Sequence, residues 1–323
     1  MLNDTIERFK GIIPQENTVI VTNRTQAVLL ESIMHSSVSK DNILIEPVAR
    51  NTAASILFAA LSIEKSHGDS LMVVLPSDHH ITDEDQFRLT LDEACTVAIE
   101  TDKIVTIGIK PMFPSTGYGY IAYDKEPISI NPVAVYDVAE FVEKPNFKKA
   151  QGYLASGNYL WNSGIFIWKT SVIIDNFKRY LPRLYKTMLP ISDVLGTDQE
   201  DEVINQIYPT LQSISIDYGI LERSDEVVVL SGQFGWNDIG SWDALGAIFP
   251  PDDEGNIIKA NHVGIDTRNS IIYGNGRLIT TIGVDGFIVA DTGDALLICP
   301  KENAQSFKDI VDMLKEKGMI EYI

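Results

Sequence analysis

The chain has 323 residues, 45% hydrophobic and 22% charged, with a formal net charge of −19. This is ordinary globular composition, long enough for one large domain or two smaller ones. The acidity excludes the basic footprint that nonspecific nucleic-acid binding needs, so a phosphate-bearing ligand would require a locally cationic or metal-assisted site.

Leu2, Ile6, Phe9 and Ile13 recur at helical spacing, so the chain opens inside an amphipathic helix. A short β run over 18–21 is followed by a helical pattern over 24–35 and a strand over 43–45. The spacing predicts a helix over 52–65 with Thr52 as its N-cap. Leu71-Met-Val-Val-Leu75 is apolar throughout, as expected of a parallel strand covered by helices on both faces. A helix over 85–100, containing Cys95, and a strand over 103–109 continue the alternation. The pattern predicts an α/β fold with a doubly wound, mostly parallel sheet. Strands are expected over 118–123, 133–143 and 159–168, and helices over 147–156, 170–180 and 200–210. Beyond Asn256, short β runs split by Gly, Asn and Asp predict a small all-β unit, closed by a helix over about 304–317. A boundary is expected at Pro250-Pro-Asp-Asp-Glu-Gly255, giving domains 1–250 and 251–323. Cys95 and Cys299 lack metal-ligand spacing and read as buried thiols in a reducing compartment. With no apolar run of about 18 residues and no basic, apolar leader, neither a membrane nor a secretory signal is implied, and a cytoplasmic location is expected.

Several segments combine the residue types that phosphate and sugar chemistry require. Leu75-Pro-Ser-Asp-His-His80 follows the most apolar strand, where ligands of open α/β sheets sit; Asp78 is placed for a metal, although Pro-Ser-Asp is also good turn chemistry. Its Asp-His-His also resembles the signature tripeptide of a family of metal-dependent phosphoesterases, but only five histidines exist and no second ligand cluster is visible. Glu143-Lys144 ends a strand and could offer a carboxylate to a hydroxyl and an ammonium to a phosphate, or simply form a solvated pair. Trp161-Asn-Ser-Gly164 interrupts an aromatic strand, marking either close approach of a ligand or another backbone, or a β-bulge. Pro47-Val-Ala-Arg-Asn-Thr52 joins a strand to a helix start, where anions are favoured, and Arg50 and Asn51 add donors. Phe234-Gly-Trp-Asn-Asp-Ile-Gly-Ser-Trp-Asp-Ala-Leu245 contains two of the four tryptophans. Ser241 is expected to cap a helix there, and Asp238 lies in the preceding turn. If Asp78 and Asp238 converge they form a two-carboxylate seat for Mg²⁺.

Taken in order, EPVARNTAASI (46–56), LPSDHHI (75–81), TGYGYI (116–121), FVEKP (141–145), NYLWNSGIFIW (158–168), SIDYGILE (215–222) and GWNDIGSWDAL (235–245) resemble the mannose-1-phosphate guanylyltransferases, members of the sugar-nucleotidyltransferase superfamily. The resemblance covers nearly the whole chain. Ala49 and Ala54 stand where the family usually has Gly and Pro. It implies a short form without a fused isomerase domain, and transfer of GMP from GTP to mannose 1-phosphate, giving GDP-mannose and pyrophosphate. It further implies that Asp78 and Asp238 hold Mg²⁺, that Lys144 pairs with the sugar phosphate, that Glu143 and Asn162 bind mannose hydroxyls, and that Gly119 lets the backbone approach the sugar. Arg50, Asn51, Thr52, Ser77 and Asp78 fall on the nucleotide side. The tail resembles the family's β-helix-like domain, used for packing or assembly, which leaves a homodimer open. Another hexose 1-phosphate or nucleotide, and a noncatalytic sugar-nucleotide-binding relative, also stay open.

The departure lies at the start. The family begins with a strand and a loop of the form G-G-x-G-x-R-L-W-P, and no Gly-Gly occurs in this chain. Met1-Leu-Asn-Asp-Thr5 matches the helix after that loop, so the start reads as an internal methionine, with roughly 30 residues ahead of it in the family. Backbone amides and cations of such a loop offset triphosphate charge. Weak turnover is therefore expected of the chain as it stands.

Overall fold

The first 236 residues lay down α1 (Leu2–Arg8), β1 (Ile20–Asn23), α2 (Arg24–Ile33), β2 (Ile43–Glu46), α3 (Asn51–His67), β3 (Leu71–Val74), β4 (His80–Ile81), α4 (Glu84–Thr101), β5 (Ile104–Ile109), β6 (Tyr120–Tyr123), β7 (Ile128–Ile130), β8 (Val133–Val142), α5 (Phe147–Ser156), β9 (Tyr159–Lys169), α6 (Thr170–Tyr180), α7 (Pro182–Val194), α8 (Glu200–Ile207) and β10 (Val227–Gly232). In this computed structural model, residues 1–33, 38–124, 126–130, 133–239 and 249–322 are described. The chain divides into two compact units, Met1–Trp236 and Asn237–Ile323. The two-residue strand β11 (Trp236–Asn237) straddles the division.

β3 lacks polar residues because both of its faces are covered. Met72 and Val74 enter one apolar cluster with α3, α6 and α7; Leu71 and Val73 enter a second with α1 and α4. The sheet between these layers is α/β in character. β3 and β5 run the same way on either side of the antiparallel β9, and β10 is parallel to β5. β6, β7 and β8 extend it through antiparallel pairings. β1 pairs with β2 in a separate parallel ladder. Val21 nevertheless reaches the first cluster and Ile20 the second, so this pair lies in the same layer as the main sheet.

One local reading is corrected, and one helix has no counterpart in the sequence pattern. α3 begins at Asn51 and not at Thr52, with Arg50 in the cap position. Asn51 sits at φ 64, and its Oδ1 accepts the Thr52 N–H, which releases the Thr52 hydroxyl for a tertiary contact. α7 escapes the periodic reading because it carries two prolines. Pro182 sits in the first turn, where no N–H is needed, and Pro190 lies inside the helix, while Leu184, Met188 and Ile191 bury the apolar stripe.

In the second unit, β12 (Ile257–Lys259), β14 (Ile271–Gly274) and β16 (Phe287–Asp291) stack in parallel, and β17 (Leu296–Pro300) closes them antiparallel. Ile257, Ile271 and Ile288 align in register and form the buried spine. β13 (His262–Ile265) and β15 (Ile279–Ile282) form the other parallel wall, and α9 (Phe307–Glu316) follows. Cys299 is only partly buried beside Ile288, because β17 is the edge of this stack, whereas Cys95 is buried in α4 and its thiol is pushed up to about 11 by that burial. Among the described residues, no helix is long and apolar enough to cross a membrane.

Candidate active site

The best-defined constellation sits where β6, β8 and β9 meet. The β5–β9 register slips between Thr106 and Gly108, so β9 bulges at Ser163-Gly164-Ile165. Gly164 takes φ +71 there, and the Ser163 hydroxyl bridges the bulge, donating to the Ile107 carbonyl and accepting from the Ile165 N–H. Of the two readings weighed at this motif, the β-bulge is present. A Cβ on Gly164 would stand 3.3 Å from Pro76, so the bulge abuts the loop that carries Asp78.

Asn162 lies at the edge of the bulge. Its N–H donates to the Gly119 carbonyl at 2.8 Å, its Oδ1 accepts from the Gly164 N–H at 3.0 Å, and its Nδ2 donates to Asp217 Oδ1 at 3.0 Å. Gly119 is buried, and the space its Cβ would take is filled: Glu143 Oε2 is 2.5 Å from that position and Asn162 Cβ 3.3 Å. This glycine makes room for neighbouring side chains. Glu143 pairs with Lys144 Nζ at 2.9 Å, and Lys144 holds φ 43, a conformation L-residues rarely adopt. Non-glycine residues in this region cost about 1–3 kcal/mol and cluster at functional sites. The hydrogen bond that Lys144 donates to Glu143 raises the Lys144 pKa, so the ammonium stays charged. Gly119, Glu143, Lys144 and Asn162, named separately from sequence, thus come together with Asp217.

Asp217 was missed as a site residue, although SIDYGILE contains it. It opens a π-helical turn, Asp217–Leu221, a rare geometry often found at functional sites. Burial pushes its carboxyl up to about 6, with the Glu143 charge adding to the shift. Its signal in the sequence was only an acidic residue beside Tyr and Gly, because the π turn depends on packing. A Cβ on Gly219 would fall 2.8 Å from Leu181.

The Asp78 loop is held from several sides. Thr5 donates to the Ser77 carbonyl at 3.3 Å, and Arg8 donates to the His79 carbonyl at 3.2 Å. Arg8 is 5% exposed, with Glu84 at 3.8 Å. Trp236 donates its indole N–H to His79 Nδ1 at 3.1 Å, so that nitrogen is the acceptor and His79 is fixed in orientation. The N–H groups of Thr82 and Asp83 donate to the carbonyls of Gly235 and Phe234. These contacts leave the Ser77 and Asp78 side chains exposed at the carboxyl end of β3.

Arg50, Asn51 and Thr52 have other commitments. Arg50 donates to the Pro209 carbonyl, and the Thr52 hydroxyl accepts the Ile216 N–H at 2.8 Å. In the second unit, Asn237 Oδ1 accepts the Ile239 N–H at 2.8 Å, an Asx turn that has Asp238 at its centre and Ile239 at φ 50. Ser241, Trp242 and the expected helix through Leu245 lie outside the described residues.

Comparison with known proteins decides the family. Residues 1–254 match the nucleotidyl transferase family, and residues 260–314 match the MannoseP isomerase/GMP-like beta-helix domain. Mannose-1-phosphate guanylyltransferase of Escherichia coli (strain K12) is 36% identical over 100% of this chain and 68% of its own length. The chain belongs to the mannose-1-phosphate guanylyltransferase family. A second member, the guanylyltransferase ManC of Salmonella typhimurium, is 35% identical over 100% of this chain and 68% of its own length. A crystal structure described as mannose-1-phosphate geranyltransferase from Thermus thermophilus superposes with a TM-score of 0.83 at 31% identity, covering 97% of this chain and 89% of that one.

At the carboxyl end of β3 one exposed carboxylate, Asp78, is a donor of the kind a hard divalent ion takes. Among the described residues, no three His, Cys, Asp or Glu side chains gather as a metal group. Mg²⁺ needs no such cage, since it keeps waters and takes one or two carboxylates plus phosphate oxygens.

Proposed function

We propose that this chain transfers GMP from GTP to mannose 1-phosphate, releasing pyrophosphate and forming GDP-mannose. The observation that carries the reading is the Gly119–Glu143–Lys144–Asn162–Asp217 constellation, in which one ammonium stands among two carboxyl groups and an amide. The sugar-phosphate oxygen is the nucleophile and is already ionised near neutral pH, so the reaction needs positioning and charge stabilisation and no general base. Lys144 pairs with the 1-phosphate. Glu143 accepts from a sugar hydroxyl, and Asn162, fixed through both ends of its amide, orders the same pocket. Ser77, Arg50 and Asn51 belong to the nucleotide side. Asp78 and Asp238 would hold Mg²⁺, which when bound neutralises phosphate charge. A cytoplasmic setting belongs to the same proposal.

The test is pyrophosphate release with Mg²⁺, GTP and mannose 1-phosphate. Release that requires all three is expected, and no release would sink the activity.

A further inference from the structure

The first turn of α3 is directed at the chain's own backbone. The Thr52 N–H is taken by Asn51 Oδ1, and the Ala53 N–H donates to the Ile214 carbonyl at 3.2 Å. These are donors that a helix N-terminus would otherwise offer to an anion. The Thr52 hydroxyl accepts the Ile216 N–H at 2.8 Å, so residues 52 and 53 grip the strand of backbone at 214–216 by two bonds of opposite sense. Further back, the same two segments are tied again. Glu46, at the end of β2, accepts from the buried Tyr208 hydroxyl and from Ser55, which lies one helical turn along α3, while Arg50 donates to the Pro209 carbonyl.

What this grip positions is on the sugar side. Ile216 is followed directly by Asp217, whose Oδ1 receives Asn162 Nδ2 at 3.0 Å. We propose that Thr52 is a positioning residue for the sugar-phosphate pocket: its hydroxyl fixes the start of the π-helical turn and, through Asp217, the orientation of Asn162. On this view EPVARNT, assigned by resemblance to the nucleotide, works through Thr52 on the other substrate. The inference rests on the proposed mannose 1-phosphate reading for its ligand, though not for the clamp itself.

Thr52→Val removes the acceptor and keeps the shape; Thr52→Ser keeps the acceptor. In the ligand-free protein, hydrogen exchange over 214–222 is expected to quicken at least tenfold in Thr52→Val and to stay at the parent rate in Thr52→Ser. Calorimetry on the same three proteins is expected to give a roughly tenfold loss of mannose 1-phosphate affinity in Thr52→Val, recovered in Thr52→Ser, with GTP affinity held within twofold. Unchanged exchange would overturn the clamp. Quickened exchange with unchanged sugar-phosphate affinity, or with GTP affinity alone falling, would overturn its role toward the sugar. If the parent protein binds no mannose 1-phosphate, the substrate reading falls and the sugar role with it, and the exchange comparison still decides whether Thr52 holds the turn.

Discussion

Adding one methyl group at Gly119 separates the site's chemistry from the fold's stability. Gly119 has no left-handed backbone to strain, so Gly119→Ala acts only through the volume of its Cβ. That carbon would lie 2.5 Å from Glu143 Oε2 and 3.3 Å from Asn162 Cβ. Ordinary contact requires about 3.5 Å, so the Glu143 carboxylate must withdraw by about 1 Å. It is the end of a rotatable side chain, and a shift of this kind costs about 0.5–1.5 kcal/mol. The carboxylate also leaves its place beside Lys144 Nζ, now 2.9 Å away. A hydrogen bond from a sugar hydroxyl to a charged acceptor is worth about 1.5–3 kcal/mol, which converts to a loss of sugar-phosphate affinity of roughly 10- to 150-fold. Calorimetric titration with mannose 1-phosphate measures the affinity, and urea unfolding measures the stability. A variant that stays within about 1.5 kcal/mol of the parent and binds as tightly would refute the reasoning, because Glu143 would then be displaced without consequence.

The remaining expectations follow from the same geometry. Asp217, pushed up to about 6, keeps its proton in the folded state over a range where the unfolded chain has released it. That stabilisation is complete below about pH 4 and is lost as the pH rises through 6, so Asp217→Asn should exceed the parent by about 1–3 kcal/mol at pH 7, the gain fading toward pH 4. Urea titrations from pH 4 to 7 check this, and a pH-independent difference would count against it. Arg8→Met should cost about 1–3 kcal/mol, since the buried His79 carbonyl loses its donor; a thermal midpoint equal to the parent's would show that the Asp78 loop needs no support from α1. Asp238→Asn should lower pyrophosphate release by about 10²–10³ or more with circular dichroism unchanged, and surviving turnover would reduce Asp238 to a turn residue.

Much of the fold was legible because local chemistry and tertiary burial agree. The bounds of α5 and α6 follow from apolar spacing, with Asn146 capping α5 through the Lys149 N–H. β3 was readable because apolar packing on both of its faces leaves an unbroken apolar run. α7 was not, since a proline in its first turn and another inside it look like loop chemistry until Leu184, Met188 and Ile191 are seen packed. At the candidate site, Glu143, Lys144, Asn162 and Gly119 were suggested by motif resemblance, and each alone looked like surface or turn chemistry. Asp217 carried no independent signal.

Sequence alone therefore determined the α/β class, the β-helix-like tail and the family, because periodicity, turn residues and ordered motifs are properties of short stretches. Tertiary structure decided which motifs share a site. The bulge in β9 points Asn162 at Asp217, residues 55 positions apart. The absent Cβ of Gly119 admits Glu143, and Thr52 leaves the helix cap to hold Ile216 across 164 positions. These contacts join segments with no shared local pattern, and only the packed chain brings their donors and acceptors within reach.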